Sequence, residues 1–202
     1  LNALELYRPK LKEGLNKFKL VMLGNLDPGI QIDILSQIEN DDKFVILDTM
    51  NYWIDNTEKK LFEIISKVNL IVINDEESKM IAKSDSLQKC AEHIINCGPE
   101  YVIIKKGSKG AELFSKQKKS TIPAFNIKNV IDPTGAGDTF VGGICGYLNS
   151  RPKINFVELH NSMIYGTVIA SFCIEEFGLA GLQKLKKENI ESRIKTFNKY
   201  LL

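Results

Sequence analysis

Four short apolar runs, Leu20-Val21-Met22-Leu23, Phe44-Val45-Ile46-Leu47, Leu70-Ile71-Val72-Ile73 and Tyr101-Val102-Ile103-Ile104, recur along the first half of the chain. They are continuous in apolarity instead of alternating, which suits strands buried on both faces of a parallel sheet. Each ends in polar or glycine residues: Gly24-Asn25, Asp48, Asn74-Asp75 and Lys105-Lys106. Between the runs lie stretches with helical spacing. Asp27-Pro28 supplies an N-cap and a first-turn proline ahead of Ile30, Ile34, Leu35 and Ile38. Leu61, Phe62, Ile64, Ile65 and Val68 form a second stripe. Leu87, Cys90, Ala91, Ile94 and Ile95 form a third, capped from Ser84 to Ser86 and stopped by Gly98-Pro99. Strands alternating with amphipathic helices predict an α/β fold with a mostly parallel central sheet. With 202 residues, 44% of them hydrophobic, the chain is long enough for one sizeable core. Neither linker nor repeat divides it, so a single domain over residues 1–202 is expected.

The pattern is less regular elsewhere. Residues 4–18 read as a connecting segment. Gly107-Ser108-Lys109-Gly110 turns into Ala111 to Phe114, and residues 117–131 supply further strand-like segments ending at Val130-Ile131. Phe140 to Leu148 reads as a helix. Phe156, Leu159, Met163, Thr167, Ala170 and Ile174 mark a long one, and Ile190, Ile194, Phe197 and Leu201 a terminal one.

Before the first of these late helices stands Asp132-Pro133-Thr134-Gly135-Ala136-Gly137-Asp138-Thr139-Phe140. Two glycines flanking an alanine at the mouth of a helix leave backbone N–H groups unobstructed, where the helix dipole adds partial positive charge. Gly135, Ala136 and Gly137 are therefore the candidate anion hole. Asp138, at its rim, is the candidate base for a hydroxyl that receives a phosphoryl group. The same residues also suit an ordinary turn and N-cap.

Ligands of open α/β sheets gather beyond the carboxyl ends of the strands, so the polar residues there are the next to inspect. Asn74-Asp75-Glu76-Glu77 offers oxygen ligands for water-coordinated Mg²⁺, or an acidic helix start that the dipole favours without any metal. Lys105-Lys106-Gly107-Ser108-Lys109-Gly110 fits either a nucleotide-binding turn, with Lys105 placed to reach phosphate oxygens, or a plain hairpin. Asp48-Thr49-Met50-Asn51-Tyr52-Trp53 holds the only tryptophan and is a candidate site border.

Composition narrows the function classes. Net charge is +2, from 27 basic and 25 acidic residues, which gives no bulk electrostatic case for nucleic acid. Lys116, Lys118 and Lys119 fall in an expected turn. Cys90, Cys97, Cys145 and Cys173 make no CxxC pair, and neither His93 nor His160 lies at metal-ligand spacing from them. Reduced thiols in a cytoplasmic protein are expected. No apolar run is long enough to span a membrane, and no signal segment begins the sequence.

The nine-residue string resembles the second signature of the ribokinase-like sugar and nucleoside kinases, the PfkB family, with Pro133 where that family usually has Thr or Ser. Asn74 and Glu77 match the family's Asn-x-x-Glu motif, and Gly107 to Gly110 its Gly-x-x-Gly segment. The three occur in the family's order, over roughly Leu20 to Phe177. The resemblance implies a three-layer α/β/α fold and ATP-dependent phosphorylation of a sugar or nucleoside hydroxyl in the cytoplasm. Asp138 is then the catalytic base, and Lys105, Gly107, Gly110 and Asn161 the nucleotide contacts. Asn74 and Glu77 organise Mg²⁺ and phosphate, and Asp132, near Thr167 to Ser171, is a candidate ligand of a monovalent cation such as K⁺. The expected partners are ATP and the sugar or nucleoside, without nucleic acid or membrane, and a homodimer is the candidate assembly. The family also carries an N-terminal portion with the first glycine signature, most sugar contacts and a small β-sheet lid, all of it upstream of this sequence. An N-terminally truncated domain with the lid missing is therefore expected. The alternative is a catalytically incompetent nucleotide-binding fragment, or a pseudokinase that needs an upstream segment or partner chain.

Overall fold

The computed structural model describes residues 7–201. The chain divides into two compact units. One comprises the residues up to Ile104 together with Phe114–Gln117; the other comprises Lys105–Leu113 and the chain from Lys118 onward.

The first unit is built on β1 (Leu20–Leu23), β2 (Phe44–Asp48), β3 (Leu70–Asn74) and β4 (Tyr101–Lys105). Leu20 lies beside Phe44 and Ile46 beside Leu70, both in parallel ladders. Its helices are α1 (Pro28–Ser36), α2 (Asn51–Asn56), α3 (Glu58–Ile65), α4 (Asp75–Ala82) and α5 (Leu87–Asn96). Asp27 caps α1 by accepting the Gly29 N–H at 2.7 Å, and Ser86 accepts the Lys89 N–H at the head of α5. Leu47, Ile71, Ile73, Val102 and Ile104 from the strands pack with Leu61, Ile64, Ala91 and Ile94 from the helices in one core. Full burial of one such side chain stabilises by about 1.5–3 kcal/mol. That burial explains why these strands read as unbroken apolar runs.

The second unit carries β5 (Ala111–Phe114) up to Leu113, with β6 (Lys119–Ile122), α6 (Ala136–Leu148), α7 (Phe156–Cys173), α8 (Ala180–Gln183) and α9 (Lys187–Asn198). Helix α7 packs against α6, α8, α9 and β6. Its contact with α6 is backbone on backbone. A Cβ on Gly143 would stand 2.8 Å from the Gly166 Cα, and one on Gly166 would stand 2.6 Å from the Phe140 carbonyl oxygen. Both positions exclude every residue but glycine.

Two expectations need correction. Of residues 117–131, only Lys119–Ile122 is a strand, and Val130 and Ile131 are 56% and 63% exposed. An apolar pair resembles a strand locally. Here the pair joins no ladder, although the Ile131 N–H bonds the Ile174 carbonyl at 2.8 Å. The terminal helix stops at Asn198, so Leu201 falls outside it, and Phe197 is its buried residue. Among the described residues no helix is long and apolar enough to cross a membrane.

Candidate active site

Asp132 opens the turn ahead of α6. Its Oδ1 accepts the Thr134 N–H at 2.9 Å, and its Oδ2 accepts the Gly178 N–H at 3.4 Å. The Thr134 hydroxyl and N–H hold this carboxyl below the usual Asp value, outweighing slight desolvation, and the Gly178 N–H lowers it further. The Pro133 carbonyl accepts the Ala136 N–H at 3.2 Å, and the Cys173 thiol donates to the Thr134 carbonyl at 3.6 Å. Proline fits at position 133 because the turn uses its carbonyl, which every residue has. Gly135 then takes φ 76°, a left-handed conformation that side-chain-bearing residues rarely adopt.

Helix α6 starts on Gly135, and no side chain caps it. Of the expected anion-hole residues, Gly135 is the N-cap, Ala136 is engaged by Pro133, and Gly137 stands in the first turn of the helix, where the dipole concentrates positive charge. Lys105 reaches the same place. A Cβ built on Gly137 would stand 3.4 Å from the Lys105 Nζ, so the ammonium lies against the backbone at the helix head. Two sources of positive charge converge there, an arrangement that favours a bound anion.

The neighbouring lysine is committed elsewhere. Lys106 Nζ lies 2.7 Å and Lys119 Nζ 3.0 Å from the Glu112 carboxylate. Burial alone would raise Glu112, but the hydrogen bonds and charges of the two lysines outweigh it and hold its pKa below the usual value. The turn between Lys106 and Glu112 is tight: the Lys106 N–H bonds the Gly110 carbonyl at 2.7 Å, and the Gly110 N–H bonds the Gly107 carbonyl at 3.0 Å. Gly110 has φ 84°, and a Cβ there would collide with the Ile122 carbonyl and stand 2.7 Å from Pro123. Glycine is required at that point.

Beside the helix head opens a cavity of about 580 Å³, within the range of small-molecule sites. Lys105, Gly107 and Gly110 line one side and Ala136 and Gly137 another, so five of the residues singled out from sequence meet around one space. Asp138 is exposed on the first turn of α6 and does not line it. Thr167 and Ser171 line it from α7, but Asn161 does not. Asn161 instead hydrogen-bonds the Tyr147 hydroxyl, which also donates to Glu158 at 2.9 Å. Asn161, the expected nucleotide contact, thus lies off the cavity lining, because the face of α7 that meets the cavity lies more than a turn further on. Phe125 and Val130 also line the cavity, and sequence reasoning missed them. They sit in the irregular segment after β6, where no periodicity marks them.

The first unit holds the other two clusters. Asn74 Oδ1 accepts the Glu77 N–H at 2.7 Å, and Glu77 Oε2 accepts the Asn74 N–H at 2.8 Å, a complete capping box on α4. Among the described residues no three His, Cys, Asp or Glu side chains stand together as metal ligands. At the ends of β1 and β2, Gln31 Nε2 donates to the Gly24 carbonyl at 2.6 Å and the Asp48 carbonyl at 3.4 Å. Trp53 Nε1 donates to Asn25 at 2.8 Å. Gln31 Oε1 and Thr49 Oγ1 are buried there without a hydrogen-bond partner among the described residues.

Residues 11–185 match the sequence model of the pfkB family carbohydrate kinases. A cytidine kinase of Thermococcus kodakarensis is 29% identical over 147 residues, 70% of this chain and 52% of that protein. A nucleoside kinase of Methanocaldococcus jannaschii is 31% identical over 124 residues, 60% of this chain and 38% of that one. The chain thus matches 52% of the length of the first relative and 38% of the second. The solved aminoimidazole riboside kinase of Salmonella enterica, in complex with aminoimidazole riboside and an ATP analogue, superposes with a TM-score of 0.77 at 16% identity, covering 88% of this chain and 63% of that one. For the crystal structure of the M. jannaschii nucleoside kinase, the TM-score is 0.73 at 22% identity, covering 95% and 60%. These likenesses establish the three-layer ribokinase-like α/β fold.

Proposed function

The chain belongs to the pfkB family of carbohydrate kinases, and from that premise we propose that it binds ATP in the 580 Å³ cavity and serves phosphoryl transfer to a hydroxyl of a nucleoside or sugar. The observation that carries this reading is the convergence of the Lys105 ammonium with the Gly137 backbone at an uncapped helix head beside a cavity. Phosphates belong at the charged end and the base between Phe125, Val130 and α7. Asp138, outside the cavity, faces the acceptor. It takes the acceptor's proton as that oxygen bonds the γ-phosphorus, while the bond from phosphorus to the bridging oxygen breaks and ADP departs with the electron pair.

Mg²⁺ arriving with the nucleotide would neutralise phosphate oxygens. Asn74 and Glu77 are explained by capping each other, so any contact of theirs with the ion passes through water. We assign no step to a monovalent cation, because Thr134 and Gly178 already take up the Asp132 carboxylate. A nucleoside is the first acceptor to try, since two of the relatives are a cytidine kinase and a nucleoside kinase.

A second reading, a nucleotide-binding fragment that needs further chain to turn over, is favoured by the matched share of those relatives, 52% and 38%. Calorimetry with Mg·ATP tests the shared premise; a dissociation constant in the micromolar to millimolar range is expected. Folded protein that takes up no nucleoside triphosphate would overturn both readings. Turnover of cytidine, adenosine, ribose or fructose at ordinary kinase rates would remove the second.

A further inference from the structure

We propose that Arg193 on α9 is a positioning residue that fixes the cavity wall facing the nucleotide's base, without touching the ligand. The inference rests on the nucleotide-site reading above.

Arg193 Nη1 donates to Ser171 Oγ at 2.9 Å and to Glu175 Oε2 at 2.7 Å. Its guanidinium lies 3.4 Å from the centre of the Phe172 ring and 5.2 Å from that of Phe125. Ser171 and Phe125 line the large cavity, whereas Arg193 does not. One side chain thus holds two lining groups from behind.

The two are held differently apart from Arg193. Phe125 lies in the irregular segment after β6, outside any strand, and its ring is gripped between Arg193 and the buried Phe197, with ring centres 5.6 Å apart. The Ser171 hydroxyl donates its proton to the Val168 carbonyl at 2.6 Å and accepts from Arg193, which sets its rotamer from both sides. An open groove of about 310 Å³ shares Phe125 and is bounded also by Phe172, Asn189, Ser192, Arg193 and Thr196. If the guanidinium is removed, the Phe125 ring has room to swing backward and the front wall loses its shape.

The chemistry of the residue matters more than its charge. Glu175 balances the positive charge at 2.7 Å, so Arg193 contributes little net field to the phosphate end of the site. The planar guanidinium fork bonds two oxygens through its Nη1 while it lies over aromatic rings, a combination that neither lysine nor methionine reproduces.

The test compares two ligands on the full chain by calorimetry: Mg·ATP, and Mg·tripolyphosphate, which lacks the base. Arg193→Met keeps apolar bulk and loses the fork. It is expected to weaken ATP about tenfold and to leave tripolyphosphate within about twofold, because only the base end is disturbed. Arg193→Lys should fall nearer Met than wild type. If Arg193→Met fails to fold, as judged by its melting curve, Phe125→Leu removes the ring while leaving the Arg193–Glu175 pair, and the same split is expected. Equal losses for both ligands, or undiminished ATP affinity in a folded variant, overturn the proposal. Wild-type protein that binds tripolyphosphate but gains nothing from the base would overturn it too. Binding of neither ligand by wild type would instead bring down the nucleotide site, and this inference with it.

Discussion

Helices α4 and α6 both begin on acidic first turns, with Asp75, Glu76 and Glu77 in one and Asp138 in the other, yet their first N–H groups meet different ends. In α4 the Asn74 and Glu77 side chains return to the backbone and close a capping box. In α6 the N-cap is a glycine with no side chain to return, and the Lys105 ammonium lies beside it. Negative charge at a helix start is favourable in both. What separates them is whether the helix supplies its own acceptor. A start that closes on itself is accounted for by stability. One that stays open, and gathers a second positive charge, is where the proposed nucleotide would place its phosphates.

The sharpest way to break this comparison is Asp138→Asn, assayed as phosphoryl transfer in an active form of the protein. The amide keeps size and hydrogen bonding but accepts no proton, so turnover should fall about a hundredfold to ten-thousandfold with ATP affinity nearly unchanged. Near-normal turnover would reduce Asp138 to a charge on the helix dipole. Next in size is Lys105→Met. Hydrogen bonds to charged groups contribute about 1.5–3 kcal/mol, so affinity for ATP and for tripolyphosphate should drop together by about ten- to a hundredfold. A loss below twofold for both ligands would leave the open helix head without its anion.

The control on the closed start is Asn74→Ala. Loss of the cap should lower unfolding free energy by about 1 kcal/mol, read from urea titration, and leave Mg·ATP affinity within about twofold. If stability held while Mg·ATP affinity fell tenfold, Asn74 would move from cap to metal partner. The smallest effect concerns acid. Glu112 has a lowered pKa in the folded chain, so its pairing with Lys106 and Lys119 stabilises fully above the unfolded Glu value. That contribution fades as pH falls through the lower folded value. Urea midpoints between pH 6 and pH 3 should therefore decline less steeply in Glu112→Gln than in wild type.

Much of this was legible in the sequence, for definite reasons. Strands β2 to β4 announce themselves because residues such as Ile46, Ile71 and Ile103 are wholly buried, and burial on both faces leaves no polar alternation, whereas β1 reads as apolar although its Met22 is exposed. The caps at Asp27 and Ser86 are local and readable. Helix α2 was not, since it buries none of its residues and so carries no apolar stripe. Lys105, Gly107, Gly110, Ala136 and Gly137 could be gathered from motif order. Phe125 and Arg193 could not, because their contact joins positions far apart in sequence, and a phenylalanine beside a short strand looks like any other. Asn161 shows the part played by phase: a helix turns about 100° per residue, and placing a side chain on α7 does not place it on the face that lines the cavity.

The backbone contact of Gly143 and Gly166 has a metrical consequence. Gly137, at the helix-head end of the cavity, is borne by α6, and Thr167, also in the lining, by α7. Where Gly143 crosses Gly166 the two backbones touch, so at that point the separation of the helices is a fixed gauge, with no rotamer to lengthen or shorten it. Sequence drift elsewhere on their surfaces can change what the cavity grips but leaves untouched the span over which it grips.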